Sequence, residues 1–176
     1  MVGGAGGGSG QYVYSLGRRG FFTLRDGGEY RRTRTVNYHT LAIADAFLTF
    51  KRLERAGVLT IAGVSTEPDC HVEVGGLYLK PDMHIDITHA GERRKLWLEV
   101  DMGTQGQRVI RDKLERYWQA YKYTVSQEWP SFPLTYFVAV DDERVKELRW
   151  LLEQGSNEAQ TLFRITTNEQ LPSLFE

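Results

Sequence analysis

Two neighbouring stretches of the chain alternate in polarity with period two, and their polar positions are rich in acids. Between residues 77 and 88 the odd positions are Leu77, Leu79, Pro81, Met83, Ile85 and Ile87. The even ones are Tyr78, Lys80, Asp82, His84, Asp86 and Thr88. From 94 to 102 the apolar set is Leu96, Leu98, Val100 and Met102, and the polar side carries Lys95, Trp97, Glu99 and Asp101. A turn around Ala90-Gly91-Glu92 makes these a β-hairpin with one buried face. Two registers fit that turn, placing Asp82 opposite either Glu99 or Asp101. Like charges directly opposed across a ladder are destabilising, so three facing carboxylates imply a partner. A hard divalent cation, Mg²⁺ or Mn²⁺, held by Asp82, Glu99 and Asp101 is that partner. His84 on the same face could ligate or shuttle protons near neutral pH.

The elements that must position this hairpin follow from periodicity. Residues 38–56 carry Ile43, Ala46, Phe47, Phe50 and Leu53 at helical spacing, between an Asn37 cap and a Gly57 stop. Residues 58–64 read as a strand. Thr104 is expected to cap a helix over 105–124, whose apolar row is Ile110, Leu114, Tyr117/Trp118 and Tyr121. The apolar run 133–140 reads as a strand covered on both faces. Asp141 and Asp142 open a helix to about 154, residues 162–166 form a last strand, and Asn168 opens a short terminal helix. The order α-β-β-β-α-β, with flanking helices, predicts an α/β fold with a mixed central sheet. Strand 94–102 and strand 133–140 should be parallel, joined by a right-handed crossover.

Composition limits the function. With 22 Lys+Arg against 23 Asp+Glu the net charge is −1, which excludes a uniformly basic nucleic-acid coat. The charge is graded, however. Residues 11–35 hold six arginines (18, 19, 25, 31, 32, 34) against two acids, and residues 141–176 hold eight acids against four bases. A polyanion should meet the first segment, where Arg18, Arg19, Arg31, Arg32 and Arg34 interleave with Phe21, Phe22 and Tyr30. That segment reads as a basic β-hairpin arm, preceded by a flexible Gly-rich linker at 1–10; residues 36–176 form the main domain. Cys70 is the only cysteine, which excludes an internal disulfide and a multi-cysteine zinc site. No apolar run approaches the ~20 residues a membrane helix needs, and the start has no basic segment before an apolar one. A cytoplasmic protein with no membrane partner is expected.

Pro81-Asp82, then Leu98-Glu99-Val100-Asp101-Met102-Gly103-Thr104, then Lys113-Leu114-Glu115-Arg116-Tyr117 resemble the ordered PD, ExDxGT and K-x-x-x-Y of the replication-relaxation family of plasmid and mobile-element proteins. His39-Thr40-Leu41 is similar to that family's H-x-L. The likeness spans residues 36–125. It implies a preceding winged helix, of which Tyr14 to Leu24 resemble the wing, with DNA and other replication proteins as partners. A homodimer is left open. The same element order also resembles the restriction-endonuclease-like PD-(D/E)xK nucleases, which implies Asp82 and Glu99 as metal ligands. Position 101 holds Asp where those nucleases place Lys. Lys113 on the following helix could supply the cation, with Lys80 and Lys95 competing for the role, and Glu54 sits where such nucleases sometimes add an acid. The expected activity is therefore metal-dependent nicking of DNA, with Asp82, Glu99, Asp101 and Lys113 as catalytic residues. The alternative is a non-catalytic DNA-binding or assembly module on a degenerate nuclease fold.

Overall fold

The computed structural model describes residues 13–24, 27–30, 35–128 and 131–176. Contacts divide the chain into two units, Met1–Tyr38 and His39–Glu176. In the first, Arg18–Leu24 forms a short helix, α1. No strand occurs among the described residues of 11–35, which corrects the expectation of a β-hairpin arm. Once hydrogen-bonded as a turn, with Phe21 N–H donating to the Gly17 carbonyl, the run RRGFFTL packs Phe21 against Phe22 and Tyr30, at centroid distances of 5.3 and 5.8 Å. Arg31, Arg32, Arg34 and the 1–10 linker lie outside the described residues.

The second unit is α/β. Helix α2 (Tyr38–Arg55) leads into strands β1 (Leu59–Thr66), β2 (Val72–Val74), β3 (Leu77–Leu79), β4 (Met83–His89) and β5 (Glu92–Asp101). Helix α3 (Gln107–Ser126), β6 (Leu134–Ala139), α4 (Asp142–Glu153), α5 (Asn157–Leu162) and β7 (Phe163–Thr167) follow, with a 3-10 turn at Leu171–Phe175. The main sheet runs β1-β4-β5-β6-β7. It is antiparallel across β1, β4 and β5 and parallel across β5, β6 and β7, so the expected mixed sheet is present. No helix among the described residues is long and apolar enough to cross a membrane.

Each face of the sheet buries its own core. On one, Ile43, Ala46, Phe50 and Leu53 of α2 pack on Met83, Ile85, Ile87, Leu96, Leu98 and Val100. On the other, Ile110, Leu114 and Tyr117 of α3 and Leu148 of α4 pack with Trp97 and Phe137. Fully burying one such side chain contributes about 1.5–3 kcal/mol. Those two layers hold β4 and β5 in place.

Three local differences matter for the site. The stretch 77–88 is not one strand: Pro81 has no N–H to donate, and the chain breaks there into β3, which pairs with β2 in a small separate sheet, and β4. Helix α3 begins at Gln107, after Gly106 and without a side-chain cap, so Thr104 is not its cap. Asp141 does cap α4, accepting the Arg144 N–H at 2.8 Å.

Candidate functional site

The β4–β5 turn is Ala90-Gly91, with φ of 51° and 79°, the left-handed pair that a two-residue hairpin requires. It sets the register Met83↔Leu98, and thus places Asp82 opposite Glu99, one of the two expected registers. The Asp82 N–H donates to the Leu98 carbonyl at 2.9 Å, and the Asp82 carboxylate accepts the Val100 N–H at 2.6 Å. Asp82 is therefore fixed where β4 begins, with 8% of its surface exposed.

The acidic face is not solvated. Helix α3 crosses it, and Glu99, 2% exposed, meets two side chains of that helix. Tyr117 donates its hydroxyl to Glu99 Oε1 at 2.5 Å, and Lys113 donates from Nζ to Oε2 at 2.6 Å. Lys113 and Tyr117 lie one helical turn apart, so both reach the same carboxylate. Burial pushes the Glu99 carboxyl above its ordinary range; the Lys113 ammonium opposes that shift and the Asp82 charge adds to it. Burial, then the Glu99 charge, pushes the Tyr117 hydroxyl well up. From the opposite side, the first turn of α2 brings His39 Nε2 to 3.0 Å from Asp82 Oδ1.

Asp101 is placed differently. Its oxygens are taken by Arg144, through Nε at 2.8 Å and Nη2 at 3.0 Å, and by the Gly103 N–H at 2.7 Å. Gly103 has φ 73°, a conformation that favours glycine and that turns its N–H back to Asp101. Arg144 also donates to the Gln105 carbonyl and to Glu147. Asp101 thus ties β5 to α4 and does not share a site with Asp82. The expected trio of Asp82, Glu99 and Asp101 is not an open metal cage: all three carboxylates have both oxygens partnered by protein groups, with a Lys or Arg on Glu99 and Asp101 and only His39 and the Val100 N–H on Asp82. Instead, ligand atoms of His39, Glu67 and Asp82 lie within 4.8 Å of one another.

The remaining expected residues sit elsewhere. His84 is half-buried; burial lowers its pKa against the charge of Asp86, and its other charged neighbour is Lys95. Asp86 is held by Arg93 through three hydrogen bonds of 2.6–3.1 Å. Lys95 pairs across from Asp86 on β5, and Lys80 lies over the Tyr78 ring at 5.3 Å. Glu54 accepts the Ile61 N–H at 3.0 Å and pairs with Lys51, fastening α2 to β1. Of the three lysines considered, Lys113 alone reaches an acid of the site.

Residues that sequence reasoning missed or left unplaced are Arg144, Glu67 and His39. No spacing signal marks Arg144, which is 43 positions from Asp101. Glu67 follows β1, whose last pair is Thr66↔Met83, and the register of that strand is the signal that would set it beside Asp82. A separate cleft of about 460 Å³ lies at the ends of the parallel strands, lined by Asp101, Asp141, Asn168 and Gln170 among others. It includes neither Asp82 nor Lys113, and the acids Asp45, Asp142 and Glu169 on its walls disfavour a phosphate backbone.

The motif pieces that are scattered in sequence therefore form two hydrogen-bonded groups, His39 with Asp82 and Glu99 with Lys113 and Tyr117, whose two carboxylates stand opposite each other where β4 and β5 pair. No curated protein matches this chain. Comparison with known protein families matches replication-relaxation over residues 1–133, a stretch that includes all five of these residues and stops short of Arg144. Since that match covers most of its 176 residues, the chain belongs to the replication-relaxation family.

Proposed function

We propose that this domain hydrolyses phosphodiester bonds in DNA, nicking it with the aid of a divalent cation held at Asp82. Family membership suggests a role in plasmid or mobile-element replication or relaxation, and nicking is the step that would release supercoiling. The observation that carries the proposal is the Asp82, Glu99 and Lys113 group, brought together from the residue just before β4, from β5 and from α3. On this reading it would stand for the D, E and K of the PD-(D/E)xK pattern, with the lysine moved from the strand to the next helix.

The cation, Mg²⁺ or Mn²⁺, would act as Lewis acid and lower the pKa of a bound water. Asp82 is the residue of the expected trio that no Lys or Arg neutralises among the described residues, and it would exchange its His39 contact for the ion. Lys113 would offset charge developing on the phosphate. Glu99 holds the ammonium in position and Tyr117 holds Glu99, so the lysine loses little entropy in being aimed. The arginines of 18–34 would contact phosphates outside the site.

A second reading has its own observation. Glu99 and Asp101 are fully satisfied by protein donors, as a degenerate, non-catalytic DNA-binding module would have them. Incubation with supercoiled plasmid separates the two. Hydrolysis predicts nicked circles in Mn²⁺ or Mg²⁺, none in EDTA, no DNA attached to denatured protein, and loss of nicking in Asp82→Ala and Lys113→Met. DNA binding without nicking in any metal would select the non-catalytic module, and a covalent adduct would refute water as nucleophile.

A further inference from the structure

We propose that the cation is held by His39, Glu67 and Asp82, a mixed imidazole–carboxylate site, and not by the Asp82, Glu99 and Asp101 trio. The proposal deepens the reading above, which rests on a cation at Asp82 without naming its other ligands.

Charge balance favours this set. Glu99 is matched by Lys113 at 2.6 Å and Asp101 by Arg144 at 2.8 Å. Asp82 is partnered by the His39 imidazole and the Val100 N–H alone, so its carboxylate and that of Glu67 converge with no Lys or Arg ion pair among the described residues. The Glu67 carboxylate accepts no hydrogen bond among the described residues.

Geometry favours it too. The three ligand atoms lie within 4.8 Å of one another, and donors around one octahedral cation at ~2.1 Å stand roughly 3–4 Å apart. Glu67 is exposed and can swing the remaining distance, whereas the backbone beneath it is already fixed. Its N–H donates to the Asp82 carbonyl at 3.1 Å, so the ends of β1 and β4 present the two carboxylates side by side. Asp82 is buried, His39 half-buried and Glu67 exposed, which gives the ion an anchored inner side and an outer side open to water and a phosphate oxygen.

Ligand chemistry then selects the ion. An imidazole nitrogen favours transition ions over Mg²⁺, which prefers oxygen donors alone. The site should therefore take Mn²⁺ in preference to Mg²⁺.

Titration calorimetry with MnCl₂ and MgCl₂, with no DNA present, tests this on the whole chain. The expected result is one Mn²⁺ per chain, bound at least ~10-fold more tightly than Mg²⁺. Glu67→Gln and His39→Ala should each weaken Mn²⁺ at least ~10-fold, the scale on which ligand-shell changes act, and His39→Ala should also narrow the preference over Mg²⁺. Asp101→Asn should leave Mn²⁺ affinity within ~3-fold. Glu67 is exposed, so its variant keeps the fold whatever the buried variants do. Wild-type affinity in both Glu67→Gln and His39→Ala would overturn the assignment, as would loss of Mn²⁺ in Asp101→Asn or no Mn²⁺ bound by the wild type. Binding as expected without plasmid nicking would refute hydrolysis and keep the site; nicking without the site's variants losing metal would do the reverse.

Discussion

Replacing Asp101 by Asn separates a structural role from a ligand role at the position where sequence reasoning placed a third metal ligand. The two side chains of the Asp101–Arg144 pair are 5% and 8% exposed. The substitution removes the charge facing the guanidinium and leaves it with the Gln105 carbonyl and Glu147. Breaking one side of a buried pair costs about 3–5 kcal/mol. The surviving partners place this case at the lower end, about 3 kcal/mol. At about 2–4 °C per kcal/mol for a chain of this size, Tm should fall by roughly 6–12 °C. The double variant Asp101→Asn/Arg144→Gln should lose less than the sum of the single ones, because the stranded charge goes too. Thermal melts of the four proteins in metal-free buffer measure this, with Mn²⁺ titration of the same samples. A Tm within about 1 °C of wild type, together with abolished Mn²⁺ binding, would refute the structural assignment and restore Asp101 as a ligand.

The Arg93 guanidinium holds the Asp86 carboxyl below its ordinary range. That contribution is full above the unfolded carboxylate pKa of about 4 and is lost as pH falls through the lower folded value. Urea midpoints measured from pH 6 to 3 should therefore fall less steeply in Asp86→Asn, by a modest amount because Arg93 is mostly exposed; identical slopes would show the pair to be idle. Burial pushes the Cys70 thiol up to about 11, and it is 7% exposed, so iodoacetamide at pH 8 should label it only as the domain unfolds. Rapid labelling of native protein would contradict its placement. Changing Arg18, Arg19, Arg31, Arg32 and Arg34 to Gln should weaken DNA binding and flatten log K against log salt by about 0.9 for each phosphate no longer neutralised. An unchanged slope would make the segment solvated surface.

The β4–β5 hairpin was legible because its two faces meet different environments: Met83, Ile85, Leu96 and Leu98 alternate strictly, and the Gly91 turn limited the register to two choices. Lys113 was legible as a candidate from its place on α3 next to the apolar row. The burial of the acidic face was not legible. A strand reading Lys95, Trp97, Glu99, Asp101 on one side looks solvated until the helix that covers it brings its own Lys113 and Tyr117. Nor was the partner of Asp101, since Arg144 arrives through the packing of α4 and no local rule relates the two positions. His39 entered only through its motif, and nothing near Glu67 in sequence ties it to Asp82; the antiparallel pairing of β1 with β4 does. Helix α1 went the other way, its aromatic and glycine residues reading as strand and turn while backbone hydrogen bonding made a helical turn.

The most direct measurement is anomalous diffraction at the manganese edge from a crystal soaked in MnCl₂. A single peak at coordination distance from an Asp82 carboxylate oxygen, flanked by His39 and Glu67, with Lys113 still on Glu99 and Arg144 still on Asp101, is the predicted result. A peak between Glu99 and Asp101 with those two cations displaced, or no peak at Asp82, would contradict it.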